Sequence, residues 1–279
     1  TGRDAYVRLL LAHPDINVNT SSTNTQDHDA IFDCVPLHTA VALNRPTYVS
    51  QLLARPDLDV NKAAASDLTA LFIACNAGHH QCAQLLLGHP DIQVCKGTVD
   101  GTTPLHAACR MGHDQCVQLL LAHPDVSVNG RAGNGDTALC AACVYGKDAC
   151  VRVLLDHAAV DVNEANAYDY TPLQVACTRG HDACVRLLLA RTEINVNTVF
   201  GNGDTALYKA CVRGHDACVR LLLARPDVDV NRCGVHMATP LCMAVNVCND
   251  ECVRLLLMHP NITIHISVVM IACFSKNTP

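Results

Sequence analysis

The sequence predicts an all-α repeat solenoid of stacked helix-turn-helix-hairpin units, on three observations. Thr-Pro-Leu or Thr-Ala-Leu triplets and their variants recur at Val35, Thr69, Thr103, Thr137, Thr171, Thr205 and Thr239, every interval being 34 residues. A fixed period of that size marks units that cannot bury an apolar face alone and therefore stack. Each interval repeats the same internal pattern, and a chain of 279 residues that is 50% hydrophobic and 16% charged has the means to fold.

Within the unit that begins at Thr103, the threonine occupies an N-cap position and Pro104 the first helical position, where a missing N–H costs nothing. This first helix ends near Gly112, which takes positive φ without strain. A second helix begins around His113-Asp114, runs through Val117 to Leu121 and is stopped by Pro124. The "VSVN" that follows alternates as a strand or hairpin arm does.

The period divides the chain into residues 1–34, seven units (35–68, 69–102, 103–136, 137–170, 171–204, 205–238 and 239–272) and a tail, 273–279. Leu9 to Leu11 belong to a second helix whose first helix is missing, so residues 1–19 read as half a unit. Eight extra residues follow before Val35, in the polar insertion "TSSTNTQDHDAIFDC". The last unit loses the pattern, with Cys248 where Gly belongs and His265 where Asn belongs, and "ITIHISVVMIACF" alternates like a strand. Without polar capping repeats, the array is expected to be a piece of a longer one.

The stretch "TPLHAACRMGH…CVQLLLAHPDVSVN" resembles an ankyrin repeat, whose signature is T-P-L-H-x-A, G-H, a leucine triplet and a D-V-N ending. The resemblance covers essentially the whole chain. Tetratricopeptide repeats share the 34-residue period, but their Trp pattern is missing from a chain without Trp. Ankyrin units usually have 33 residues, and here "LAHPD" adds one and puts Pro-Asp where Gly-Ala is usual.

The net charge of −6 disfavours nucleic acid and acidic membrane surfaces as partners. No secretory leader is read at the first residues, and the apolar run from Ile262 to Phe274 is too short to span a bilayer. Eighteen cysteines in a long, regular chain fit a reducing compartment better than a disulfide scaffold. Eleven of them form two columns: Cys75, Cys109, Cys143, Cys177 and Cys211, then Cys82, Cys116, Cys150, Cys184, Cys218 and Cys252. Core packing is the expected role, since free Cys behaves as a small hydrophobe. Disulfides between units are disfavoured by helix spacing of about 8 to 10 Å, whereas a pair within one unit, such as Cys109 with Cys116, stays open on spacing. Zinc needs about four convergent ligands, which a ladder does not provide. No cofactor or metal is expected.

His79, His113, His181 and His215 share one turn position and read as structural, as do His38 and His106. Asp4-Arg8, Asp148-Arg152, Asp182-Arg186, Asp216-Arg220 and Asp250-Arg254 stand four apart on second helices, with the acid at the N-terminal end. "NGRAGNGD" lacks the Lys-Ser or Lys-Thr of a phosphate loop and reads as a hairpin turn. The resemblance makes the Asn of D-V-N structural, and in some ankyrin proteins it is hydroxylated.

The family resemblance implies a non-enzymatic scaffold that binds protein or peptide partners on a concave face built from hairpin tips and first helices. Positions that vary while the frame stays fixed point to Tyr145, Tyr168, Tyr170, Arg179, Asp136, Asp204, Lys209 and Arg213, with acidic tips beside basic helix ends implying a partner of mixed charge. A monomer in the cytoplasm, or the nucleus, is expected. The alternatives are a cysteine-based redox or metal-responsive module, or the targeting array of a larger enzyme or channel.

Overall fold

The computed structural model describes residues 10, 13, 15–20, 35–199, 203–234, 237–265 and 268. Most of the polar insertion, the first nine residues and nearly all of the stretch beyond Ile266 lie outside them. The chain falls into two compact units, Thr1–Asn134 and Gly135–Pro279.

The first unit carries α1 (Pro36–Ala42), α2 (Pro46–Leu53), α3 (Ala70–Ala77), α4 (His80–Leu87), α5 (Pro104–Met111) and α6 (Asp114–Leu121). The second carries α7 (Ala138–Val144), α8 (Asp148–Leu155), α9 (Pro172–Arg179), α10 (Asp182–Leu189), α11 (Ala206–Arg213), α12 (Asp216–Leu223), α13 (Pro240–Asn246) and α14 (Asp250–Leu257). First helices pack on first helices and second on second within each unit, which makes an all-α repeat solenoid. Helices of seven or eight residues are too short to persist alone in water. Stacking is what holds them, and its anchors are fully buried leucines: Leu37, Leu71, Leu86, Leu105 and Leu120 in the first unit, Leu154, Leu173, Leu188, Leu207, Leu222, Leu241 and Leu256 in the second. Each contributes about 1.5–3 kcal/mol of burial.

Local chemistry sets the helix ends. The side chains of Thr69, Thr137, Thr171, Thr205 and Thr239 accept the backbone N–H three residues on. Thr103 occupies the same position without that bond, and its hydroxyl donates to His106 Nδ1 at 2.8 Å. Gly78, Gly112, Gly180 and Gly214 close first helices in the left-handed conformation. Where the sequence replaces that glycine, the turn persists: Cys248 takes φ 54° and Asn44 φ 50°. The last pair, α13 and α14, therefore forms like the others despite its lost pattern, with Asn249 capping α14 by accepting from Cys252 N–H at 2.9 Å.

The hairpin arms expected from "VSVN" are not strands; the described residues contain no strand, only isolated bridge residues such as Ala63 with Thr69. Four of the hairpins are closed by a backbone bond between residues four apart, from Ala64 N–H to Leu68 O, Thr98 to Thr102, Asn166 to Tyr170 and Gly234 to Ala238. The alternation of the sequence has another cause. In the equivalent stretches Val60, Val94, Val162, Val196 and Val230 are buried, while an asparagine one residue on bridges to the following repeat in four of the five. Asn61 donates to Asp91 O at 2.6 Å and accepts from Gln93 N–H at 2.8 Å, and Asn163, Asn197 and Asn231 make the same pair of bonds. Cys95, in the equivalent place, reproduces both with sulfur, donating to Asp125 O at 3.3 Å and accepting from Ser127 N–H at 3.1 Å.

The extra Pro-Asp residues form a turn closed by the residue before the proline. His89 and His123 accept through Nδ1 from the N–H two residues on, and Arg55 and Arg225 instead fork onto Asp57 and Asp227 at 2.8–2.9 Å. Those arginines hold the carboxyls of Asp57 and Asp227 below the usual carboxylate range.

The Asp-Arg series on the second helices is only partly realised. Asp182 meets Arg186 at 3.7 Å, but Arg220 reaches Glu251 of the following repeat at 2.7 Å, since Asp216 accepts from Asn249 and from the Cys252 thiol. Asp4 and Arg8 lie outside the described residues.

His38 and His106 are structural. His38 Nε2–H donates to Leu68 O at 2.9 Å and His106 Nε2–H to Gly130 O at 3.1 Å, each tying a first helix to the next hairpin. Gln174 does the same work in the second unit, donating to Thr198 O at 2.8 Å while completing a capping box with Thr171. Burial lowers the pKa of His38 from its ordinary 6.5. Below that pH the unfolded chain binds a proton that the native state refuses, so stability falls as pH falls. The His38→Gln variant, which keeps the donor and loses the titration, is expected to lose less stability between pH 7 and pH 5 than the parent does; equal losses in urea titrations at both pH values would remove His38 as the cause.

Among the described residues no helix is long and apolar enough to cross a membrane.

Candidate functional site

The eight residues picked from the sequence all lie in the second unit, and the structure separates them into two groups. Asp136, Tyr170, Asp204 and Lys209 form one connected cluster. Asn166 links its first part, donating from its side chain to Asp136 at 2.8 Å and accepting the backbone N–H groups of Tyr168 and Tyr170 at 3.0 Å. Lys209, on the first helix of the following repeat, sits 5.9 Å from the centroid of the Tyr170 ring, a cation-π arrangement. Its ammonium lies 2.7 Å from Asp204, whose side chain is 1% exposed.

Asp204 is therefore no accessible hairpin-tip acid. A Cβ at Gly234 would meet its carboxylate at 2.4 Å, so only glycine in the following hairpin leaves room for it. Removing Lys209 would strand a buried carboxylate, at a cost of about 3–5 kcal/mol. These four residues order the face more than they offer it to a partner.

Tyr145, Tyr168, Arg179 and Arg213 are the exposed group. Tyr168 stands at a hairpin tip with 70% exposure. Tyr145, Arg179 and Arg213 share one register position, eight residues after the anchor, where each first helix ends. The same position holds Leu43, Ala77 and Met111 in the first unit and Val247 in the last repeat. All seven are exposed, while the leucine frame around them is uniform.

One feature of the first unit escapes a reading that looks for tyrosine and arginine. A cavity of about 400 Å³ opens between α1 and α3, lined among others by His38, Leu43, Leu68, Phe72, Ile73 and Ala77. Its signal in the sequence is the pair Ile73 and Leu43, apolar at register positions where the second unit carries Lys209 and Arg213.

The cysteines take places that the sequence left open. Both columns are buried, and every described cysteine is a free thiol. Thiols of the two columns influence one another between repeats: Cys75 with Cys116, Cys143 with Cys184, Cys177 with Cys218 and Cys211 with Cys252. Cys116 thus has a sulfur neighbour in the preceding repeat. Helix axes stand apart, but side chains of the two columns point into the same interface and close the gap. The Cys75 and Cys143 thiols are pushed well above the usual range by these partners and then by burial, while Cys116 and Cys184 are lowered. Among the described residues no three His, Cys, Asp or Glu converge to hold a metal ion.

The turn histidines have a mechanical part as well. The ring of His181 lies against Gly146 and that of His215 against Gly180, and both donate Nε2–H to a carbonyl of the preceding repeat at 3.2 Å, Val144 and Thr178 respectively.

No curated protein matches the chain. Among solved structures, the human ASB11 ankyrin repeat domain is similar at 27% identity and TM-score 0.69, over 82% of this chain and 99% of that one. The ankyrin repeat domain of Bcl-3, a member of the IkappaB protein family, is similar at 25% identity and TM-score 0.70, over 80% and 98%. The ankyrin repeat protein EF0377 shares the fold at 23% identity and TM-score 0.63, over 68% and 96%. The family model for ankyrin repeats in three copies matches residues 37–132, 123–199 and 191–268, so the chain, whose helix pairs and T-P-L-H contacts are those just described, belongs to the ankyrin repeat family.

Proposed function

We propose that this chain is a non-enzymatic interaction module that binds protein partners or peptides on the face made by its hairpins and first helices, the concave face of the family. The observation that carries this is the exposed row at the ends of the first helices. In a frame whose buried leucines repeat without change, this row runs through Tyr145, Arg179, Arg213 and Val247 in the second unit, and the same position holds Leu43 and Met111 in the first. Exposed tyrosine, methionine and arginine are the residues that interface cores favour. The buried thiols support a reducing compartment, and we place the protein in the cytoplasm or nucleus on that ground.

Affinity capture from a cell extract tests the reading with a variant carrying Tyr145→Ala, Tyr168→Ala, Arg179→Glu and Arg213→Glu. All four side chains are exposed, so the fold is expected to persist, with helical circular dichroism unchanged. Loss of the captured proteins is the expected result. Equal capture by parent and variant would move binding off this face.

A further inference from the structure

We infer that the row of first-helix ends in the second unit takes an extended acidic segment of a protein partner, with an apolar side chain at each end of it. This rests on the interaction-module reading above and replaces the mixed-charge partner that the sequence suggested. The change follows from where the charges are. Asp204 is buried and held by Lys209, and Asp136 is half-buried and accepts from Asn166, so neither acid stands out as an exposed charge. Asp182 is turned to Arg186 and Asp216 to Asn249 and Cys252. Arg179 and Arg213 form no ion pair among the described residues and stand exposed on successive repeats. Asp169 sits at a hairpin tip, at the other end of the first helices from the arginines.

Order along the row gives the pattern of the ligand. Tyr145, Arg179, Arg213 and Val247 follow one another on α7, α9, α11 and α13, which pack in that sequence. Tyr145 is 52% and Val247 40% exposed, so each end of the row offers apolar surface and its middle two guanidinium groups. Packed helices stand about 8–10 Å apart, and an extended chain advances about 3.3 Å per residue, so neighbouring positions on the row match every third residue of a peptide. The matching segment is apolar-x-x-acid-x-x-acid-x-x-apolar, which reads the same in both directions. Guanidinium forks match carboxylate geometry, and acids at any other spacing would engage one arginine at a time.

A fluorescent synthetic peptide with the pattern Leu-x-x-Glu-x-x-Glu-x-x-Leu in a Ser/Gly background is titrated into the full chain and followed by anisotropy. Binding is expected to weaken about tenfold or more in Arg179→Glu/Arg213→Glu and to weaken with added salt. The same double variant is expected to gain binding to a peptide with Lys in place of both Glu, a swap that a merely structural loss would not produce. Equal binding of the Glu peptide by parent and double variant overturns the inference, as does equal binding of a peptide with its two Glu adjacent, or tighter binding of a polyuridylate strand. Failure of the peptide, with captured proteins still lost from the four-residue variant, would sink the acidic assignment and leave the interaction module standing; loss of neither would sink both.

Discussion

Gly180→Ala is expected to cost about 2–4 kcal/mol of stability, although it adds one methyl group at a half-buried turn. Gly180 ends α9 at φ 76°, a conformation that costs an alanine about 1–2 kcal/mol. The new Cβ would also lie 2.6 Å from Nδ1 of His215, closer than any real contact, so the ring must leave. With it goes the His215 bond to Thr178 O at 3.2 Å, which contributes about 1 kcal/mol. Because each repeat leans on its neighbours, the damage falls on the interface between two repeats and not on one helix. Urea titration followed by circular dichroism measures the loss. Combining Gly180→Ala with His215→Ala removes the clash and should leave the backbone cost and the missing bond. A Gly180→Ala protein within about 0.5 kcal/mol of the parent would show that the interlock carries no load.

This interlock illustrates what the sequence makes legible. The period, the caps and the proline positions are local, so the helix pairs can be read from residues such as Thr171, Pro172 and Gly180. The G-H pair is visible too, but its reason is not: the glycine makes room for the histidine of the next repeat, 35 residues on in the chain. The same limit applies to the binding face. Tyr145, Arg179 and Arg213 could be picked because one register position varies, whereas the burial of Asp204 under Lys209 depends on Gly234, a residue that means nothing until the hairpins are stacked. Alternation in these stretches misleads for a related reason, since a buried valine and a bridging asparagine, as at Val60 and Asn61, imitate the pattern of a strand without its ladder. The apolar cavity beside Leu43 and Ile73 was hidden because lone apolar residues are ordinary on any surface.

The largest contrast is expected in thiol chemistry. Cys248 is exposed, and Cys95 and Cys233 are half-buried, whereas the eleven column cysteines have no accessible surface. A thiolate is the reacting species, and Cys75, Cys143 and Cys211 are held protonated well above the ordinary range by their sulfur partners and by burial, and Cys177 by burial and then by its partner. Among the described cysteines, N-ethylmaleimide, with adducts mapped by mass spectrometry, should therefore modify Cys248 first. The column thiols should follow about 10³-fold or more slower, at the rate at which the repeats open. Alkali gives the thermodynamic counterpart. Above the ordinary thiol pKa of 9.0 the unfolded chain releases protons that the native pairs retain, so native stability must fall as pH rises past that value. The lowered partners, Cys116, Cys184 and Cys218, work in the opposite sense below pH 9.0, which places the decline on the alkaline side and not at neutrality. A redox module behaves otherwise: peroxide would oxidise Cys177 and Cys218 to a disulfide, two thiols losing two electrons and two protons as peroxide becomes water, without prior unfolding. Native protein that forms this bond as fast as Cys248 reacts would turn the thiol column from packing into function.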